Sequence, residues 1–150
     1  MEEGRSKLLK VKKCKVCGAQ NSLKNSRCVK CNLPLSISNK AELREKLLFS
    51  FFITLLSDME NYEKIIRALK DYDIRGVRID YLIEFESYYL IIFTIISEDD
   101  FRIVKEKIRQ IQEFSDKKPY KFLLIKAGNH ISREKIYGAE LIDMTFNFKV

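Results

Sequence analysis

Four cysteines within eighteen residues constrain this chain more than any other feature. Cys14, Cys17, Cys28 and Cys31 follow the pattern C-x2-C-x10-C-x2-C, and the chain has no other cysteine. Two residues between cysteines allow a tight knuckle that points both sulfurs at one ion. Two knuckles supply four thiolates, the full tetrahedral complement of a structural zinc. Gly18 follows the first knuckle and Asn32 the second. Both residue types tolerate the left-handed backbone that turns amides back toward the sulfurs. Two disulfides would use the same cysteines. However, MEEGRSKLLKVKKC has no apolar core of a secretory signal, so a cytoplasmic protein with reduced thiols is expected. One structural Zn2+ is therefore the cofactor the spacing implies.

CKVCGAQNSLKNSRCVKCNLPL resembles the short four-cysteine zinc ribbons of archaeal and bacterial proteins. It matches their pattern at Cys14, Cys17, Gly18, Asn21, Cys28, Cys31 and Leu35, and departs at Asn32, where Gly is usual. The spacing is also similar to the Ran-binding-protein type of finger. The Trp of that type, two residues before the first Cys, is Lys12 here. The resemblance spans residues 12–35 and implies metal binding. Such ribbons serve nucleic-acid binding, protein docking and purely structural roles.

Charge divides the chain in the same place. The net charge of +7 splits into +8 over residues 1–40 and −1 over residues 41–150. A basic module on a neutral body suits an acidic partner, most often DNA or RNA. The candidate phosphate contacts are Lys10, Lys12, Lys13, Lys15, Lys24, Arg27 and Lys30. Local compensation of the −2 charge on a zinc tetrathiolate explains part of the same excess.

Residues 39–46 read as a linker between a ribbon module, 1–38, and a body, 47–150, leading into a short helical turn in which Asn39, with Glu42 three residues later, has the form of an N-terminal cap. In the body, Leu47–Leu56 is aromatic and branched, which favours a buried strand. Leu43, Leu47, Phe51 and Leu55 also recur at helical spacing, leaving a helix as the alternative. Ser57-x-x-Glu60 has the form of a capping box, opening a helix that places Tyr62, Ile65, Ile66, Leu69 and Tyr72 on one face. Val77, Ile79, Tyr81, Ile83 and Phe85 alternate as a strand. Tyr88–Ile96 follows as a second strand, apolar on both faces. A helix from Ser97 buries Phe101, Val104, Ile108 and Ile111. Tyr120–Lys126 and Ile142–Phe148 complete the strands. The expected fold is α+β, a ferredoxin-like βαββαβ domain with an added C-terminal strand.

Such a sheet leaves one face open. Phe52 and Leu82 on that face make it a candidate interface for a homodimer or a protein partner, unless the C-terminal strand covers it. Nothing in the pattern points to catalysis. His130 stands alone in a polar turn. Glu98, Asp99 and Asp100 complement a helix dipole. Asp80, Glu84 and Glu86 share a strand face without the lysine a metal nuclease would add. The apolar runs are too short to span a membrane. The Ile- and Lys-rich composition hints at a thermophilic, archaeal or bacterial source. The expectation is thus a non-enzymatic zinc-ribbon protein associated with nucleic acid. The alternative is an adaptor that uses the ribbon as a protein-docking module.

Overall fold

A computed structural model describes residues 11–57, 64–131, 135–136 and 138–145. Over these described residues the fold is mixed α+β, with a two-stranded hairpin, two helices and a five-stranded sheet. The hairpin pairs β1 (Val11–Lys13) with β2 (Gln20–Ser22). Next come α1 (Lys40–Ser57), β3 (Ile65–Ile74), β4 (Val77–Phe85), β5 (Tyr89–Ile95), α2 (Glu98–Gln112), β6 (Tyr120–Lys126) and β7 (Ala139–Asp143). The sheet order is β3-β4-β5-β6-β7. Its first two pairings are antiparallel, and those of β5 with β6 and β6 with β7 are parallel. A parallel return needs a crossover, and α2 supplies it between β5 and β6. Among the described residues, no helix is long and apolar enough to cross a membrane.

This corrects the ferredoxin-like βαββαβ order at its first two elements. The run expected as a strand at Leu47–Leu56 belongs to α1. Asn39 caps that helix, its Oδ1 accepting from the Glu42 amide at 2.8 Å. The Glu42 carboxylate turns back to accept from the Ser38 amide at 2.7 Å. Bonds from Ser38 and then Lys46 draw the Glu42 carboxyl down to about 2. Residues 39–46, expected as a linker, are this cap and the first turns of the helix. Leu43, Leu47 and Phe51 are buried at helical spacing, so the hydrophobic period outweighs the strand preference of the individual residues.

The helix expected over Tyr62–Tyr72 is instead β3 from Ile65 onward; Ser57 closes α1, and 58–63 lie outside the described residues. The misreading has a physical source. Asp71 adopts φ +51°. In the register Lys70 faces Tyr81 and Tyr72 faces Ile79, while Asp71 and Asp80 between them do not pair. The register is the same on both sides of this unpaired position, so the alternation shifts by one residue in both strands together; the change of register itself lies between Ile65 and Arg67. Leu69 and Tyr72 therefore pack against the same cluster, and a strand with a phase shift acquires a helical three-residue spacing. The same break divides β4. Val77 and Ile79 pack under α2, whereas Tyr81, Ile83 and Phe85 pack on the α1 side, so they do not form the single face their alternation suggests.

Both faces of the central strands are covered. One cluster joins α2 (Phe101, Val104, Ile108, Ile111) to Leu82, Ile91, Phe93, Phe122 and Leu124. The other joins α1 to Ile83, Phe85, Ile92, Leu123 and Ile125. Leu82 is 2% exposed beneath α2, so the open face proposed for it does not exist. Phe52 lies on the other side, half-buried with its ring 4.6 Å from that of Tyr81. The C-terminal strand forms earlier than expected, at Ala139–Asp143, and joins the sheet edge beside β6. The expected extension through Phe146–Phe148 lies outside the described residues.

Candidate metal centre

The hairpin and the loop after it bring the two knuckles together. Gly18 at φ +82° and Asn32 at φ +64° take the left-handed conformation expected of them. That turn lets the Gly18 amide donate to the Cys14 carbonyl at 3.1 Å and the Asn32 amide to the Cys28 carbonyl at 3.0 Å. Cys14 and Cys28 amides then bond to the Ala19 and Leu33 carbonyls beyond each knuckle, at 2.8 and 2.9 Å. Asn21, 3% exposed, ties the two knuckles together. Its Oδ1 accepts from the Val29 amide at 2.8 Å, and its Nδ2 donates to Ala19 O at 3.1 Å and to Cys28 Sγ at 3.5 Å.

All four cysteines are free, and their sulfurs lie within 4.8 Å of one another. Cys14 and Cys31 sulfurs are 3.7 Å apart, and those of Cys17 and Cys28 are 3.4 Å apart. A tetrahedral ion at the usual Zn–S length of about 2.3 Å needs sulfurs about 3.8 Å apart. The cluster therefore has the donors and spacing to hold a metal ion. Its electrostatics agree. Burial raises the Cys17 thiol and pushes Cys31 far above the ordinary range. Burial also acts to raise Cys28, but the amides of Cys31 and Lys30 and the Asn21 side chain outweigh it and bring that thiol to about 6. Crowded thiols resist joint ionisation, and a divalent cation removes that resistance by supplying the missing charge.

The module is joined to the body by packing. Cys14, Val16, Cys28, Cys31, Leu33 and Ile37 belong to the same buried cluster as Leu43, Leu47, Phe51, Ile92, Ile96 and Met144. The Asn129 amide donates to the Cys31 carbonyl at 2.8 Å. The His130 Nε2 lies 3.0 Å from Ile96 O, and its buried Nδ1 has no partner among the described residues. Burial holds this imidazole below its ordinary pKa. His130, read from the sequence as a solvated turn residue, is thus a partly buried group bonded to the end of β5. The cysteine spacing gave no signal for this join; the alternating apolar residues Leu33, Leu35 and Ile37 after the second knuckle are the one sequence feature that points to it.

Lys13, Lys15, Lys24 and Lys30 are exposed, and Lys12 is half-buried opposite Asn21 in the hairpin. No acidic partner is found for these five among the described residues. In the body, Arg44, Lys46, Arg67, Lys70, Arg102, Arg109, Lys118 and Lys126 form ion pairs, while Lys64, Arg78, Lys107 and Lys117 likewise have no acidic partner among the described residues. Arg27 differs from its neighbours: its Nη1 donates to Asn32 O at 2.8 Å, holding the second knuckle. Lys10 lies outside the described residues.

Of the acidic candidates of the body, Asp80, Glu84 and Asp100 are engaged internally, while Glu86 is exposed. Asp80 Oδ2 accepts from the Thr94 amide and hydroxyl at 2.7 and 3.0 Å. Both Asp100 carboxylate oxygens accept from the one Arg44 Nη2, at 2.9 and 2.8 Å. Glu84 binds Lys118 and Arg67, and both hold its carboxyl below the usual range. Ser97 caps α2 through the Asp100 amide at 3.1 Å, which accounts for the acidic run at its start. Comparison with protein-family models, with curated proteins and with solved structures finds no match to this chain.

Proposed function

We propose that the N-terminal module is a short zinc ribbon holding one structural Zn2+, and that it binds nucleic acid through phosphate contacts. The observation that carries this reading is the set of exposed lysines Lys13, Lys15, Lys24 and Lys30 on the segment that holds the sulfur cluster, without acidic partners among the described residues. The ion would fix the two knuckles and so the positions of these lysines. Lysine is a point charge suited to phosphate, and few groups here suit base edges. Binding is therefore non-enzymatic and indifferent to sequence, with the α+β body as a docking scaffold. Free thiols suit a reducing compartment such as the cytoplasm.

The test is affinity for random DNA and RNA duplexes over a range of salt. Each phosphate contact contributes about −0.9 to the slope of log K against log salt on duplex DNA. Replacing Lys13 and Lys15 with Gln should flatten the slope by about 1.8 if both make contacts. Affinity that does not change between about 50 and 200 mM salt overturns the reading. An adaptor reading draws on Val29, 73% exposed, and Leu23, 50% exposed, on the same module. It requires that Val29→Asp and Leu23→Asp abolish capture of a protein partner while the lysine changes do not.

A further inference from the structure

The two edges of the sheet differ. The β3 edge carries Arg67 and Lys70 and the Asp71 irregularity at φ +51°, three devices that discourage strand addition. The β7 edge has no basic residue and no positive-φ break, and its charges are Glu140 and Asp143. Its sequence, AELID, is without Lys, Arg, Pro or Gly, and Leu141 and Ile142, on opposite faces, are each 38% exposed.

The direction of its amides follows from one bond. The Met144 amide donates inward to Lys126 O at 2.7 Å. Strand alternation then turns the backbone groups of Ile142 and Glu140 toward β6 and those of Leu141 outward. We infer that β7 pairs antiparallel with the β7 of a second copy about a two-fold axis at Leu141, joining two five-stranded sheets into one.

The sequence is self-complementary in that register. Leu141 faces Leu141 of the second copy, exchanging two hydrogen bonds and pairing two leucines on one face. Glu140 faces Ile142, and Ala139 faces Asp143, so no like charges oppose each other. A shift that centres the axis on Glu140 would set two carboxylates face to face. Asp143 is also neutralised within its own chain by Lys126 at 3.2 Å. A five-residue edge buries less than a standard interface, so the association is reversible and concentration-dependent.

Sedimentation equilibrium of the full zinc-loaded chain across a concentration series tests this. The expected result is a monomer–dimer equilibrium. Leu141→Pro removes the outward amide without touching an inward bond. It should raise the dissociation constant about 100-fold, tenfold for each lost hydrogen bond. Leu141→Lys, which keeps the backbone, should weaken association too, and Ala68→Pro on the opposite edge should not. Circular dichroism confirms that each variant is folded. A wild-type chain that stays monomeric up to about 1 mM overturns the inference. So does a dimer unaffected by both Leu141 variants, which would place the contact elsewhere. So does a dimer formed only after removal of residues 146–150, which would mean that the chain's own terminus occupies this edge.

Discussion

Leu33→Ala tests whether the ribbon is part of the body's core. Leu33 follows the second knuckle and is 0% exposed. It lies in the cluster that also holds Leu43, Leu47 and Ile92. On the body side it reaches the Gly128 turn, where a Cβ built on Gly128 would stand 3.6 Å from its Cδ1. Truncation removes about three carbon groups at about 0.8 kcal/mol each, roughly 2.4 kcal/mol of transfer energy. A cavity between ribbon and sheet brings the total to about 3–4 kcal/mol, inside the 2–5 kcal/mol range of such changes. With a urea slope of about 2 kcal/mol per molar, the unfolding midpoint should fall by about 1.5–2 M. The probe is intrinsic. The chain has seven tyrosines and no tryptophan, and every tyrosine lies beyond residue 60, so tyrosine emission reports the body alone. Val29→Ala, at a position 73% exposed, should move the midpoint by less than about 0.5 kcal/mol equivalent. If Leu33→Ala leaves the tyrosine transition in place and only loosens the metal, the ribbon folds apart from the body and the shared-core argument fails.

Metal removal follows from the same packing: a strong chelator should release one zinc per chain and lower the tyrosine-detected melting temperature, and Cys28→Ser should do the same without chelator. An unchanged melt would refute the coupling. Asp71→Val places a β-branched residue at φ +51° and should cost about 1–2 kcal/mol in a urea titration, whereas Asp71→Gly should be neutral or stabilising. Asp143 should contribute to acid sensitivity. Burial acts to raise its carboxyl, but bonds from Thr145 and Lys126 outweigh it and leave it below the ordinary 3.8. A depressed folded-state value means stability that is fully present above the unfolded value and lost as pH falls through the folded one. Asp143→Asn should therefore destabilise at pH 7 by about 1–3 kcal/mol, the cost of leaving a buried polar group unsatisfied, because Lys126 is fully buried. It should also flatten the loss of stability below about pH 4; parallel acid limbs for the two proteins would rule this out.

The sulfur cluster was legible in the sequence because its geometry is local. Two-residue spacing fixes each knuckle, and Gly18 and Asn32 meet a backbone demand that few other residues satisfy. Helix α2 was legible for a similar reason. Ser97 caps it, and Phe101, Val104, Ile108 and Ile111 keep a clean helical period against one partner surface. Strand β5 declared itself by being apolar on both faces, which only a doubly covered position explains, and β6 by the strand-like run at Tyr120–Lys126.

The remaining features depended on distant partners. In α1 the same apolar run fits a strand or a helix; packing of Leu43, Leu47 and Phe51 against the sheet and the ribbon selects the helix. In β3 the period was misleading because Asp71 shifts its phase, and that shift has meaning only against the register of β4. Leu82 looked surface-facing until α2 crossed it. His130 looked solvated until the ends of β5 and β6 closed around it. The sequence alone thus determined what short-range chain geometry can enforce: the four sulfurs, their turns, one capped helix and the two central strands. Tertiary structure decided which face each intermediate segment buries and that the ribbon shares the body's core, because burial is a property of the partner surface as much as of the residue.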